Sequence, residues 1–278
     1  MSIRKTKAAL AAAMLALAGT AESAVLHPDS LGVAGSGRAP HAADLLLTEL
    51  AFGGVDHLHG PGRVGLASLE VTAGRSSVNA EWGDADTTDP MTATGHPGAW
   101  QETRRPGVQD AALAHAFTSA SLTEMTDTEG DGTPVTLSLI FERPLLDATA
   151  DPTPEIVLFE RGMNDRFTLS PILAGPGGGT TTAPGVTIDS ANFMATGLRV
   201  DTREIGAAQE LGVGGIDLGL FALAPGTPIL GLEVAAAGAE GPDLKGIFLT
   251  GDVAAVPLPA TGGLLLGALA FLAWRRRA

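Results

Sequence analysis

Carboxylates at alternate positions are the first residues of this chain whose spacing could do chemistry. They are Asp127, Glu129 and Asp131, and Gly132 follows them. Carboxylate oxygens at such spacing can converge on a hard cation such as Ca²⁺. Ser138 stands where a calcium loop needs its bidentate glutamate, so a solvated hairpin turn explains the same residues at least as well. The sequence therefore allows either a Ca²⁺ site or a plain turn at these residues, and it indicates no other cofactor.

Two histidines form the closest grouping of that residue type. His57 and His59 flank Leu58, and Asp56 precedes them. On a strand, residues 57 and 59 would point to one face and could share a metal ion. Gly53-Gly54 precedes the pair and Gly60-Pro61-Gly62 follows it, and this context favours a polar loop.

Catalytic signatures are scarce. A tight turn is flanked by four polar residues that could bind a ligand or pair with each other at the surface: Arg161, Asn164, Asp165 and Arg166. The sequence has no G-x-S-x-G, H-E-x-x-H, P-loop or Rossmann pattern, and without cysteine it has no thiol chemistry. We predict that the protein is not an enzyme, and a hydrolase with a dispersed triad is the alternative.

The last stretch of the sequence combines three features in a fixed order. Two prolines within three residues keep the backbone extended, an apolar run from 264 to 274 favours helix, and an arginine cluster resists crossing a membrane. From 261 to 274 such a helix would span about 21 Å, short of a bilayer core of ~30 Å. A plain membrane anchor is one interpretation. The residues are Val256, Pro257, Leu258, Pro259 and Ala260, then Arg275, Arg276 and Arg277.

This order closely resembles the VPLPA-type C-terminal sorting signal, a PEP-CTERM-like signal that exosortases handle in Gram-negative bacteria. The resemblance covers residues 256–278 and no others. It implies transient retention in the inner membrane, cleavage near the motif by an exosortase-like enzyme, and delivery to the cell surface or extracellular matrix. It implies nothing about the fold or activity of the preceding residues.

The opposite end predicts export as well. Arg4, Lys5 and Lys7 precede an apolar run at 8–18, and small residues follow it. This is the pattern of a signal peptide, cut by signal peptidase after Ala21 or after Ala24. We therefore predict a signal peptide at 1–24, an extracytoplasmic β domain at 25–252, and a sorting signal with a short transmembrane helix at 253–278.

The amino-acid composition limits the classes of partner that the protein could bind. The net charge is −14, and the predicted leader and tail hold several of the few basic residues. So acidic a chain is a poor partner for nucleic acid or for anionic membrane surfaces. The absence of cysteine means that no disulfide holds the fold. Aromatic residues are 4% of the chain without any tyrosine, so sugar stacking would depend on Trp82, Trp100 or a few phenylalanines.

The hydrophobic pattern predicts an all-β domain, an antiparallel β-sandwich or jelly roll. Apolar residues alternate at 135, 137, 139 and 141, as in a half-buried strand. The continuous apolar run at 156–159 is typical of a strand covered on both faces. Short strand-like segments recur between Gly, Pro, Asn and Asp residues, as in a sandwich or jelly roll. The segments at 44–52 and 111–117 fit either a helix or a strand. The segment at 175–185 is interpreted as an exposed loop within the domain. We expect deep burial of Leu137, Leu139, Val157 and Phe159.

The sequence as a whole predicts an exported surface or matrix protein with a structural or adhesive role. Its expected partners are the secretion machinery, signal peptidase, an exosortase-like enzyme, the membrane through its C-terminal helix, and exopolysaccharide. The alternatives are a carbohydrate-binding module, which needs an exposed aromatic platform, and a secreted hydrolase, which needs a cleft with convergent histidine and carboxylates.

Overall fold

The fold is built almost entirely from antiparallel strands, as the sequence predicts. The computed structural model describes residues 25–34, 45–59, 62–74, 77–79, 111–123, 125–127, 134–147, 153–200, 208–237 and 241–250. In these ranges no helix has the length and apolar character needed to cross a bilayer. The predicted signal helix and the predicted C-terminal helix both lie outside them.

The largest sheet, called the central sheet below, has eight strands in the order β1-β15-β10-β17-β8-β7, with β14 also paired to β15 and β5 to β17. Each pairing is antiparallel. The strands are β1 (Val25–Leu26), β5 (Arg63–Val64), β7 (Ser77–Asn79), β8 (Met125–Asp127), β10 (Ile156–Arg161), β14 (Met194–Val200), β15 (Gln209–Ile216) and β17 (Leu244–Leu249).

Two further sheets flank it. The outer sheet has six strands in the order β12-β11-β16-β9-β6, with β13 also paired to β11, and the small sheet has the order β2-β3-β4. The outer strands are β6 (Leu66–Ala73), β9 (Val135–Leu145), β11 (Phe167–Ala174), β12 (Thr180–Thr182), β13 (Val186–Ile188) and β16 (Ile229–Ala236). The small sheet contains β2 (Ser30–Ala34), β3 (Leu46–Phe52) and β4 (Val55–Asp56).

The central sheet is buried on both faces, which makes the domain β-sandwich-like with a third layer. Successive side chains of a strand point to opposite faces. In β10, Ile156 and Leu158 enter a large core shared with the outer sheet, whereas Val157 and Phe159 enter a second core shared with the small sheet. The prediction of a strand covered on both faces is confirmed, as is the deep burial of Leu137, Leu139, Val157 and Phe159.

Three ambiguous segments are now assigned. Residues 46–52 of the first segment form strand β3, and the segment at 111–117 lies in helix α1 (Ala111–Thr118). The stretch at 175–185 is exposed, but it is more regular than a loop: it holds a 3-10 turn at Pro176–Gly178 and strand β12. The hairpin interpretation of 127–132 is wrong, because β8 and β9 on either side of it belong to different sheets.

Helix α1 contacts the central sheet and the outer sheet at β17 and β6. Its buried side chains Leu113, Ala116 and Phe117 belong to the large core, and Phe117 stacks on Phe248 with ring centroids 6.0 Å apart. Gly246 allows this approach, since a Cβ there would lie 2.4 Å from the Phe117 ring. The packing of helix α1 on β17 therefore requires that residue 246 has no Cβ atom.

We expect Gly246→Ala to lower the free energy of unfolding by about 1–3 kcal/mol, because the methyl group overpacks the Phe117 contact. Gly179→Ala is the matched control. Its Cβ would meet only the Pro176 carbonyl oxygen at 3.9 Å, so its stability should stay within about 0.5 kcal/mol of wild type. Urea unfolding of both variants measures the difference. Equal midpoints for the two variants would contradict the described helix packing.

Candidate functional site

Ionisable side chains are buried where β10 ends and β17 begins, and we call these four residues the acid–arginine cluster. They are Glu160, Arg161, Asp165 and Asp243, each at most 5% exposed. Glu160 and Arg161 are the last residues of β10, Asp165 lies in the turn that follows, and Asp243 immediately precedes β17. Buried charges are costly unless they are paired and hydrogen-bonded, so this cluster is the chemically unusual part of the described chain.

The ion pair at the centre of the cluster joins Arg161 to Asp243. The Arg161 Nη2 donates to Asp243 Oδ2 at 2.5 Å, with both side chains almost fully buried. The backbone reinforces this contact, because the Arg161 N–H donates to the Asp243 carbonyl oxygen. Removing one partner of such a pair typically destabilises a protein by about 3–5 kcal/mol, because the remaining charge stays buried.

The turn after β10 is held in an uncommon backbone conformation. Gly162 has φ 100° and Met163 has φ 50°, in the left-handed region that non-glycine residues seldom adopt. Met163 packs closely over Gly212, where a Cβ would meet its Cγ at 2.5 Å. Strain of this kind persists only where the surroundings over-determine it. Here the buried Asp165 side chain and the Met163 contact hold the turn.

Glu160 keeps its proton in the folded protein. Burial, a hydrogen bond with Asp165 and the like charges of Asp165 and Asp243 together raise the pKa of Glu160 to about 10. The backbone N–H of Met163 opposes this shift. A protonated Glu160 carboxyl group can donate to the carboxylate of Asp165. The cluster therefore pairs one arginine with carboxylates that cannot all ionise.

A second buried carboxyl group lies at the other end of the same strand. Burial raises the pKa of Glu155 to about 8, and Asp217 and Asp147 contribute through like charge. Its Oε2 accepts a hydrogen bond from the Leu218 N–H at 3.0 Å, which opposes that shift. Both ends of β10 thus carry acids that favour the neutral form.

Lys245 lies as close to Ser119 as a catalytic base lies to its serine nucleophile, but the distance is the only similarity. The Lys245 Nζ lies 2.8 Å from Ser119 Oγ and also donates to the carbonyl oxygens of Ala116 and Ser119. A lysine can act as a base only when it is neutral. Three oxygen acceptors instead favour the ammonium form, and a cation suits the C-terminus of a helix. Lys245 therefore serves as a buried cap for helix α1.

A groove of about 370 Å³ opens between the edge strands β2 and β14. Its apolar wall includes Leu31, Val33, Met194 and Leu198, which pack against the second core. Its polar side chains hydrogen-bond within the protein, since Ser30 donates to Glu49 and Thr196 donates to the Leu211 carbonyl oxygen. The groove has room for a small ligand, but its described lining directs few polar groups into it.

The two histidines that are neighbours in the sequence, His57 and His59, do not share a partner in the structure. His57 Nε2 lies 3.4 Å from the Phe52 carbonyl oxygen, and His59 Nδ1 lies 3.1 Å from Asp56 Oδ2, so the two rings contact different groups. Both histidines follow β4 in a loop, which agrees with the polar-loop interpretation. The hydrogen bond from His59 is the main cause that lowers the pKa of the exposed Asp56.

Of the four polar residues around this turn, Arg161 and Asp165 do not lie at the surface, because both side chains are buried, and Arg161 pairs with Asp243. Arg166 is exposed, and its Nη2 lies 3.7 Å from Asp189 Oδ2. The sequence carried one signal for this cluster: Glu160 and Arg161 continue the apolar run of β10 without a break. Sequence reasoning ended that run at residue 159 and missed the buried pair.

Several predicted sites lie outside the described residues. Among the candidate calcium ligands, Asp127 ends β8, while Glu129 and Asp131 are beyond the described ranges. In the ranges that are described, no three His, Asp or Glu side chains are grouped so that they could hold a metal ion. Trp82, Trp100, the motif at 256–260 and the arginines at 275–277 also lie outside them.

Comparison with known proteins adds no family to this description. No protein-family model and no curated protein matches the chain.

The raised pKa of Glu160 predicts how stability depends on pH. The folded state holds a proton that the unfolded state releases above about pH 4.5, so stability falls as pH rises toward 10. We expect Glu160→Gln to reduce this slope by up to about 1.4 kcal/mol per pH unit between pH 5 and 8. Chemical denaturation at several pH values measures it, with the exposed Glu142→Gln as control. A wild-type slope retained in Glu160→Gln would show that Glu160 ionises normally.

Proposed function

We propose that this chain is an exported surface or matrix protein with a structural or adhesive role, released to its destination by an exosortase-like enzyme. The observation that carries the proposal is the order of motif, apolar run and arginine cluster at 256–278. The leader-like segment at 1–24 supports export independently. Signal peptidase and the secretion machinery are the partners at that step, and exopolysaccharide is the partner proposed at the destination.

The β domain suits such a cargo. It contains no cysteine, and two apolar cores supply its stability without redox chemistry. The last described strand ends at Leu249, seven residues before Val256 by sequence number, so little chain separates the sandwich from the motif. Prolines at 257 and 259 keep the backbone extended and free of helical hydrogen bonds, the form in which proteases and transpeptidases bind their substrates.

The alternatives need features that the described residues do not bring together. A carbohydrate-binding module would depend on Trp82 or Trp100, since the described phenylalanines are buried and the lining of the β2–β14 groove has no aromatic side chain. A hydrolase would need an accessible acid and base, whereas the acid–arginine cluster is closed from solvent. A structural role therefore remains the proposal.

Pro257→Ala combined with Pro259→Ala should trap a longer, membrane-bound form in the producing organism, because the segment can then join the helix. The wild-type protein should lack Arg275–Arg277. Intact-mass spectrometry of membrane and released fractions measures both outcomes. Pro176→Ala combined with Pro225→Ala, two exposed prolines of the β domain, is the control and should be processed as wild type. An intact wild-type chain through Ala278 would instead indicate a permanent anchor.

Calcium binding at 127–131 is a separate proposal. Binding to the native state raises stability by mass action. Millimolar Ca²⁺ should therefore raise the melting temperature, and EDTA should reverse the shift. Asp127→Asn combined with Asp131→Asn should abolish it, whereas Asp147→Asn should not. Coincident melting curves with Ca²⁺ and with EDTA would dispose of this site.

A further inference from the structure

Both ends of the described β domain emerge on the same side of it. The chain enters the central sheet at Val25 and leaves after Thr250. Strand register places these points together, because one row of paired residues crosses five strands: Val25, Ile216, Ile156, Phe248 and Val64. Leu249 and Thr250 directly follow Phe248. We call this end of the strands the chain-end face.

Two loops belong to the chain-end face by connectivity. Residues 217–228 join the end of β15 at Ile216 to the start of β16 at Ile229, and residues 175–179 follow the end of β11. The turn at 162–166 joins β10 to β11 at their other ends. That turn therefore lies on the opposite face, about 20 Å away along the six residues of β10.

The two loops of the chain-end face carry little charge. The loop residues 175–179 and 218–228 include no charged side chain, and Pro176, Ala222, Ala224 and Pro225 among them are exposed. Asp217 at the start of the second loop is its one charged residue, and it lies with Asp147 near Glu155. The opposite face presents the exposed Arg166 beside Asp189, and polar Asn164 at the tip of the turn. In a chain with net charge −14, an anionic bilayer repels most of the surface. The uncharged residues of these loops meet less of this repulsion than exposed carboxylates do.

We propose that the β domain rests with its chain-end face toward the bilayer and presents the 162–166 turn away from it. This orientation rests on the proposed function, because the tail must first tether the chain to the membrane. Residues 251–263 span no more than about 45 Å when fully extended, so the tether keeps that face near the lipid. The turn over the acid–arginine cluster is then the surface that the protein offers to partners outside.

The absence of cysteine makes the orientation directly measurable. Ala224→Cys marks the chain-end face and Asn164→Cys marks the opposite face, and both positions are exposed. Each full-length variant is labelled with one fluorophore and reconstituted into vesicles of phosphatidylethanolamine and phosphatidylglycerol that carry a headgroup-attached quencher. Label at 224 should be quenched roughly twofold or more over label at 164, because the two faces are about 20 Å apart. The same variants without residues 253–278 give the untethered baseline.

The outcomes separate this orientation from the tether itself. Full-length chains that float with the vesicles but show equal quenching, or stronger quenching at 164, overturn the orientation and leave the tether intact. Full-length chains that fail to float with the vesicles contradict the membrane step of the proposed function, and the orientation falls with it. Far-UV circular dichroism of each labelled variant must match that of wild type, which ties the quenching difference to the folded domain.

Discussion

Burial of β10 on both faces is the constraint on which the rest of this structure depends. A strand in a two-layer sandwich needs apolar residues on one side only, but the residues of β10 alternate between two cores. Each fully buried large apolar side chain stabilises the fold by roughly 1.5–3 kcal/mol. The outer sheet covers one face and the small sheet covers the other. Without a disulfide, these two layers of packing must hold the central sheet in place.

The same constraint explains the buried charges. Because the layers extend over the whole of β10, its polar last residues are covered along with its apolar ones. Arg161 is matched by Asp243, and Glu160 stays neutral. A buried ion pair seldom adds much net stability compared with apolar residues of the same shape. As a hypothesis, the pair fixes the register of β10 against the start of β17, since a one-residue slip would leave both charges buried and unmatched.

The sequence predicted strands correctly where the hydrophobic pattern has a single physical explanation. Alternation at 135–141 and the continuous run at 156–159 follow directly from one-sided and two-sided burial, and both strands are present. The segments at 44–52 and 111–117 stayed ambiguous, because short apolar runs fit either period. The connection at 127–134 was misjudged because turn residues do not reveal whether the flanking strands share a sheet. The acid–arginine cluster was missed because its partner Asp243 is 82 residues from Arg161 in the chain.

The described interior buries acids as well as cations. Lys245 and Arg161 are fully buried, where they cap helix α1 and pair with Asp243, and half-buried Arg63 donates to the Thr118 carbonyl oxygen. The acids buried in the same domain are Glu155, Glu160, Asp165 and Asp243, so burial leaves the surface no more acidic than the net charge of −14 indicates. The acidic excess of the sequence makes the long-range field outside the domain negative. A field of this sign repels other copies of the chain and anionic surfaces, whereas the uncharged loop residues of the chain-end face, at 175–179 and 218–228, add nothing to it.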